Sequence, residues 1–375
     1  MQKFFTTLAR LITFLCALLF IVGMLLAILA FDVGRVVFNP PLVKSVLTEI
    51  VTESDLIPAA LAWFSESRAA RRYDSGQAEA WVGEPDVAQL IMFMDVNDWR
   101  AIRWEVLPDE ILIDWVSVTV DGEYDWIDSD DRVPDIMWNL RPLIRLIDSE
   151  HGVTSITIAY EALPPCAEKQ ITDFKNRLAA APAGTKVLYN LCQFPDPWYE
   201  DQFSDYTASL EDLVANVPTT FALTGELART TDTEGLGPEI IKTQVLLVRK
   251  WMNLAPLILI IPLILILIFA VRSLNELGRW WGIPLTLGSL LTLLLAFVYR
   301  PIVVAILSAG LLSETPPLVR EEAIAGIFRL AVDVFKPMLW QSLVVLIIGL
   351  ALVLAGSLVK TDNDESETES LKIVA

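Results

Sequence analysis

Four uninterrupted apolar runs constrain this chain more than any other feature of its sequence. They cover residues 11–31, 251–271, 280–299 and 338–359, and none of them contains Asp, Glu, Lys, Arg or His. Runs of about 20 apolar residues match the ~30 Å hydrocarbon core of a bilayer. Because lipid offers no hydrogen-bond partner to a free backbone amide, such segments must be helices. The sequence therefore predicts four transmembrane helices.

The first run suits either a cleavable signal peptide or an uncleaved anchor. Lys3 and Arg10 precede it, as the basic start of a signal peptide would. However, the run is longer than the about 7–15 apolar residues of a signal peptide. A cut after Ala30 would also place the bulky Ile28 where a small residue is required. We therefore expect residues 11–31 to remain as the first transmembrane helix.

The net charge belongs to the segment between the first two apolar runs. Residues 32–250 hold 37 Asp and Glu and 18 Lys and Arg, whereas the rest of the chain holds 10 of each sign. This segment therefore accounts for the whole net charge of −19. Such a charge repels phosphate groups, which argues against nucleic acid as a partner and favours cationic partners. We expect one strongly acidic domain on one side of the membrane.

The basic residues near the spans predict the orientation. Five of them fall on the side of the two termini and four on the other side. The positive-inside rule places the richer side in the cytoplasm. The chain contains no Asn-x-Ser/Thr glycosylation sequon, which is compatible with a bacterial protein. We predict an integral protein of the bacterial plasma membrane, with both termini inside and the large domain outside. The five basic residues on the inner side are Lys3, Arg10, Arg272, Arg279 and Lys360.

The spacing of apolar residues predicts a mainly helical acidic domain, with helices that include 167–180 and one that starts at 84–86. Two stretches are ambiguous, because the β-branched residues at 116–120 and 154–160 suit a strand as well as a helix. The predicted fold class is a mainly α membrane protein. It has four transmembrane helices and one large, mostly helical extracytoplasmic domain, with at most a small β element.

The connection between the third and fourth spans is expected to contain two helices outside the hydrocarbon core. An interfacial helix is expected at 301–310, because Arg300 at bilayer depth would be costly. An amphipathic helix at 318–335 lies on the membrane or packs on the acidic domain. Packing on the domain is favoured, because its apolar face lacks a basic cluster for lipid headgroups. The predicted segments are the cytoplasmic start 1–10, span 11–31, acidic domain 32–250, span 251–271, cytoplasmic loop 272–279, span 280–299, outer loop 300–337, span 338–359 and a disordered cytoplasmic tail at 360–375.

The cysteines indicate an oxidising compartment. Cys166 and Cys192 are the two cysteines of the acidic domain, and Cys16 lies in the first span. Outside the cytoplasm Cys166 and Cys192 can form a disulfide, which would contribute roughly 3–4 kcal/mol on the chain-entropy estimate. The alternative is a pair of buried free thiols. We predict the disulfide.

Several classes of catalysis lack their residues in this sequence. His151 is the single histidine, so zinc sites of the HExxH type and Ser-His-Asp triads are hard to build. The GxSxG, P-loop and GxGxxG patterns do not occur. The predicted spans contain no Asp, Glu, Lys, Arg or His for a proton relay or an intramembrane protease. We therefore predict a protein that is not an enzyme and needs no cofactor.

An acidic cluster at 121–131 is the strongest candidate for a metal site. Hard cations such as Ca²⁺ bind clusters of carboxylate oxygens. The stretch departs from the EF-hand loop, since Trp126 stands where that loop needs Gly and Arg132 stands at the place of its closing Glu. A solvated acidic segment is the favoured interpretation, and calcium binding is the alternative. The six acids are Asp121, Glu123, Asp125, Asp128, Asp130 and Asp131.

Tryptophans and prolines each allow two interpretations. The acidic domain has eight Trp residues, which suit either core anchors or a platform for sugars or cations, and we favour the core. Pro256, Pro262 and Pro284 either break the spans to form a site or are tolerated as kinks, and we favour kinks.

These observations lead to three hypotheses of function. The preferred one is a non-enzymatic membrane protein whose acidic domain binds a partner or ligand, such as an envelope protein or a second copy of the chain. The second is a component of a transporter or channel. The third is a Ca²⁺-dependent extracytoplasmic domain.

Overall fold

The computed structural model describes residues 2–74, 87–182, 185–224 and 237–358. The chain divides into two compact units. The membrane unit comprises Met1–Val43, Ile240–Ser313 and Ile327–Ala375, and the acidic unit comprises Lys44–Glu239 and Glu314–Gly326. The predicted helix start at 84–86 and the predicted disordered tail at 360–375 lie outside the described residues.

Helices account for most of the described chain. The elements are α1 (Gln2–Val37), α2 (Pro40–Glu53), α3 (Leu56–Asp74), α4 (Val87–Leu90) with a 3₁₀ turn (Ile91–Phe93), α5 (Val96–Val106), α6 (Asp109–Asp128), β1 (Met137–Asn139), α7 (Arg141–Ile147), α8 (Glu150–Glu161), α9 (Glu168–Ala180), α10 (Trp198–Asn216), β2 (Thr220–Ala222), α11 (Pro238–Ile258), α12 (Ile260–Ala270), α13 (Leu274–Leu277) with a π-helical turn (Gly278–Gly282), α14 (Ile283–Ala309) and α15 (Pro317–Leu358).

Four helical stretches are long and apolar enough to cross a bilayer. They are Arg10–Val37, Pro238–Ala270, Asn275–Ala309 and Pro317–Leu358, and each overlaps one of the predicted apolar runs. The prediction of four apolar, membrane-spanning helices is thus confirmed by length and composition. Such helices are those of an integral membrane protein.

Two helices predicted as separate elements are parts of longer ones. The segment 301–310 continues the third span, since α14 includes Pro301, and 318–335 continues without interruption into the fourth span as α15, which includes Pro337. Proline removes one backbone donor and crowds the carbonyl four residues earlier. Apolar helices tolerate this, because neighbouring groups and small local adjustments satisfy the freed carbonyl.

The second span has a break at Leu259. Helix α11 ends at Ile258 and α12 begins at Ile260, and Leu259 between them keeps a near-helical backbone with φ −68° and ψ −20°. Pro262 lacks the N–H that would bond to the Ile258 carbonyl, so the interruption falls one turn before this proline. The interruption is therefore local, as expected for a proline kink that the span tolerates.

Small residues bring the third and fourth spans into close contact. A Cβ atom on Gly278 would lie 2.5 Å from the Leu352 carbonyl oxygen and 2.7 Å from the Gly356 Cα. One turn on, a Cβ on Gly282 would lie 2.9 Å from the Val353 backbone nitrogen. Helices in membranes gain their packing energy from such close backbone approach. A larger residue at Gly278 would therefore separate the two helices.

Two apolar clusters form the core of the acidic unit. The larger one joins the turn after α4 to α8 and α10, and the smaller one joins α9 to the segment before α10. Their buried members are Leu90, Met94, Ile156, Ala159, Tyr160, Leu163, Tyr206 and Leu210 in the larger cluster, and Phe174, Cys192 and Phe194 in the smaller.

Both stretches with ambiguous patterns are helical. Residues 116–120 lie in α6 and 154–160 lie in α8, so the strand alternative is wrong for both. Helix α8 buries Ile156, Ala159 and Tyr160, and this packing overrides the β preference of the segment. The small β element lies elsewhere. Strands β1 and β2 form an antiparallel pair in which Trp138 is opposite Phe221.

Candidate ligand-binding cleft

A cleft between α9 and the start of α10 depends on the segment 185–198 that joins these helices. The predicted disulfide between Cys166 and Cys192 is present, with its Cα atoms 4.9 Å apart. The Cys166 backbone N–H donates to the Gln193 carbonyl at 3.0 Å. The Arg177 guanidinium on α9 donates to Asn190 Oδ1 at 2.7 Å and to the Leu188 carbonyl at 3.2 Å. These contacts fix the segment along one side of α9.

The buried Gln202 ties the same segment to α8 and α10. Its Nε2 donates to the carbonyls of Asn190 and Cys192 at 3.2 and 3.1 Å. Its Oε1 accepts from the Tyr160 hydroxyl at 2.6 Å. Burial raises the pKa of Tyr160 to about 12, so its hydroxyl stays a hydrogen-bond donor at neutral pH. Gln202 thus holds residues 190–194, which directly follow the cleft residue Tyr189, against α8 and α10.

The cleft has a volume of about 390 Å³ and combines aromatic walls with charged groups. The buried Phe174 forms its floor, stacked on Tyr189 with ring centroids 4.8 Å apart and edge-on to Trp198 at 5.9 Å. The polar groups come mainly from α10. The lining residues are Phe174, Leu178, Lys186, Val187, Tyr189, Trp198, Asp201, Ser204 and Asp205.

The charges around the cleft favour cations. Lys186 Nζ lies 2.6 Å from Asp205 Oδ1, so the cleft's lysine already neutralises one of its two aspartates. Burial raises the pKa of Tyr189, and the carboxylates of Asp201 and Asp205 raise it further. The Lys175 ammonium lies 5.2 Å from the centre of the Trp198 ring. The ammonium group of Lys175 therefore already lies near an aromatic ring of the cleft wall. Aromatic faces attract cations in this way.

The cleft has groups for binding, and its lining residues do not include a histidine or a cysteine. The single histidine lies elsewhere in the acidic unit, at the start of α8. There His151 Nδ1 is 2.8 Å from Glu105 Oε2. Aromatic faces, carboxylates and one ammonium group can hold a polar or cationic molecule of small size.

The six acids of the predicted calcium site lie mostly on a helix. Helix α6 continues to Asp128, so Asp121, Asp125 and Asp128 project at the spacing of one helix face. Asp121 is already paired with Lys44, and burial raises the pKa of Glu123. Within the described ranges, no three His, Cys, Asp or Glu side chains are grouped as metal ligands. Calcium binding by these acids stays a prediction. The two acids beyond the helix are Asp130 and Asp131.

The tryptophans of the acidic unit have different roles. Trp126 is buried, and Trp115 stacks on Trp138 with ring centroids 4.9 Å apart, as core anchors would. Trp198 instead forms a wall of the cleft. Trp81 lies outside the described residues. The cleft is not evident from the sequence, because its aromatic and charged members are spread over residues 174–205. The pairing of Cys166 with Cys192 was the signal that brings them together.

Comparison with known protein families, with characterised proteins and with solved structures finds no match to this chain.

Proposed function

We propose that this protein is a membrane-anchored binding protein whose acidic unit holds a cationic ligand in the α9–α10 cleft. The four apolar helices serve as the anchor, and the acidic unit faces the outside of the plasma membrane. The observation that carries this proposal is the cleft itself, where the Tyr189 and Trp198 rings stand beside the carboxylates of Asp201 and Asp205.

Two features favour a cation over a neutral sugar or an anion. The segment 32–250 carries the whole net charge of −19, which raises the local concentration of cations near the surface. Lys175 already lies over the Trp198 ring. A ligand amine would make the same type of contact with the neighbouring aromatic rings of the cleft. The ligand class is an organic amine, such as a polyamine or the basic end of a peptide.

The residues of the cleft support binding without catalysis. Its nine lining residues do not pair a nucleophile with a histidine base, and the sequence lacks the motifs of the commoner hydrolases. We therefore propose that the ligand leaves the cleft chemically unchanged.

The test is calorimetric titration of the purified full-length protein in mild detergent with spermidine, and with a neutral disaccharide as the second probe. We expect saturable binding of spermidine. Trp198→Ala is expected to weaken it about 2- to 30-fold, the range of a cation–aromatic contact of ~0.5–2 kcal/mol. Asp201→Asn is expected to weaken it in the same range, whereas Asp212→Asn, an exposed acid further along α10, is expected to leave it unchanged.

Equal weakening by Asp201→Asn and Asp212→Asn would show that spermidine binds only as a counterion of the acidic surface, and would overturn the proposal. Binding of the disaccharide in place of spermidine would assign the cleft to sugars instead. Absence of binding by both probes would remove the amine as the ligand class.

A further inference from the structure

One carboxyl group is buried in the membrane unit. Asp32 follows the first apolar run, and its position in the sequence predicts that it belongs to the acidic domain. Helix α1 continues to Val37, however, and the Asp32 side chain is only 1% exposed within the protein. A carboxyl group inside a bundle of apolar helices is costly to keep, and in such bundles it generally has a functional role.

The contacts of Asp32 satisfy one of its two oxygens. Gln341 Nε2 on α15 donates to Asp32 Oδ1 at 2.8 Å. Asp32 Oδ2 is buried and has no hydrogen-bond partner among the described residues. This hydrogen bond links the first membrane helix to the last one. Of its two groups only the carboxyl group of Asp32 can ionise, because the carboxamide of Gln341 does not.

An ionised carboxylate has two oxygens that need donors, and this site supplies one donor. A buried charge with an unsatisfied oxygen is unstable, and such a group becomes neutral instead. Uptake of a proton forms an O–H bond on Oδ2 and leaves Oδ1 as a carbonyl that still accepts from Gln341. The carboxyl charge changes from −1 to 0 in this step, and the hydronium ion that gives the proton becomes water.

Positive charge near Asp32 favours the ionised form of its carboxyl group. Arg35 lies three residues further along α1, is exposed, and attracts a negative Asp32. Next to it, α11 packs its Met252 side chain against Gly34, and the guanidinium of Arg249 on the same helix lies 5.6 Å from the Phe38 ring centre. Along α15 the charged residues nearest in sequence to Gln341 are Asp333 and Lys336, and Arg300 is the charged residue of α14.

We propose that Asp32 and Gln341 form a proton-binding site in the membrane unit. Asp32 Oδ2 takes up and releases the proton, and Gln341 holds the other oxygen in place. The site is separate from the α9–α10 cleft and does not depend on the function proposed for that cleft. Because it links α1 to α15, the loss or gain of this proton changes the contact between these two membrane helices.

The test is infrared difference spectroscopy of the full-length protein in vesicles of neutral lipid, between about pH 6 and about pH 9. Solvated Asp and Glu are ionised throughout this interval. We expect a carbonyl band of a protonated carboxylic acid at the lower pH that disappears at the higher pH. Asp32→Asn is expected to remove this band, whereas Asp55→Asn, on a partly exposed aspartate paired with Arg100, is expected to retain it.

The variant Gln341→Leu provides a second measurement, which does not depend on whether the Asp32 variant folds. It removes the one donor to the carboxylate, so the band is expected to persist to higher pH than in the unchanged protein. A spectrum without any band that Asp32→Asn removes would show that Asp32 stays ionised and would overturn the proposal. A band of equal intensity at both pH values, unmoved by Gln341→Leu, would show a permanently protonated structural group and would overturn it as well.

Discussion

Lys44 Nζ lies 2.7 Å from both carboxylate oxygens of Asp121, a residue 77 positions further along the chain. The contact fixes α2 against α6 within the acidic unit. It also supplies a cation to one of the six acids that the sequence suggested as calcium ligands. Both side chains are partly exposed, at 31% and 53%, so the ion pair is screened by water.

The six acids of this cluster lead to a first prediction, which concerns calcium. If Asp121 and its neighbours bind Ca²⁺, the ion at 100 times its dissociation constant adds about 2.7 kcal/mol to the stability. Thermal unfolding of the full-length protein with Ca²⁺ measures this, and the double variant Asp125→Asn and Asp128→Asn is the control. A midpoint that Ca²⁺ leaves unchanged would remove the calcium hypothesis. A rise that the double variant abolishes would support it.

The bond between Tyr160 and Gln202 leads to a second prediction. Tyr160→Phe removes the donor to Gln202 Oε1 and an acceptor of the Phe194 N–H, both of them buried. The Phe194 N–H still donates to Gln202 Oε1 at 3.3 Å in this variant, so we expect the loss of about 0.5–1.5 kcal/mol that is typical of a removed hydrogen bond. Tyr199→Phe, on a more exposed tyrosine in contact with the same ring, is the matched control and is expected to have a smaller effect. Equal losses in the two variants would contradict the role given to this bond.

The buried Arg103 leads to a third prediction. Its guanidinium, 4% exposed, donates to Asp109 Oδ1 at 2.6 Å and to the carbonyl of Thr52 at 3.0 Å. Replacing it by Met leaves the carbonyl and the carboxylate without their donor, and we expect a loss of about 2–4 kcal/mol. Arg100→Met, which breaks an ion pair with Asp55 that is about 40% exposed, is expected to cost much less, because water screens this pair. Unfolding by denaturant compares the two.

The membrane helices could be predicted from the sequence, because a charge-free run of bilayer length has one stable structure in lipid. The disulfide could also be predicted, since Cys166 and Cys192 are the two cysteines of the acidic domain. Residues 301–310 and 318–335 are helical, as predicted, but they continue into the spans, although a proline and a charged neighbour suggested helix ends there. Local patterns also left 116–120 undecided, because tertiary packing decides between helix and strand there.

The two sites depend on contacts between distant residues, and these are what a single sequence conceals. Asp32 and Gln341 are separated by 309 positions, and only the continuation of α1 past the apolar run brings them together. The cleft combines Phe174, Tyr189 and Trp198, whose spacing along the chain has no period of a helix or strand. The burial of Asp32 and the ring contacts of Phe174 are therefore evident only from the three-dimensional structure.

The disulfide leads to a fourth prediction, which links stability to binding. The double variant Cys166→Ala and Cys192→Ala opens a loop with a sequence separation of 26, and we expect a loss of roughly 3–4 kcal/mol from the greater freedom of the unfolded chain. Because the bridge fixes the segment that carries Tyr189, spermidine binding is expected to weaken as well. Denaturant unfolding and calorimetric titration measure the two effects, with Cys16→Ala in the first span as the control. Unchanged binding in a destabilised double variant would show that the cleft forms without the bridge.

Alkaline pH gives the last prediction. Burial raises the pKa of Tyr160 to about 12 in the folded state, above the ordinary value of 10.0 that applies once the chain is unfolded. Between these two values the unfolded chain has lost a proton that the folded protein still holds, so unfolding releases a proton and stability falls as the pH rises. Below pH 10 the contribution of Tyr160 is fully present. Denaturant midpoints measured from about pH 9 to about pH 12 are expected to fall less steeply in Tyr160→Phe, which has no phenol to ionise. Identical slopes in Tyr160→Phe and in the unchanged protein would contradict the assignment to Tyr160.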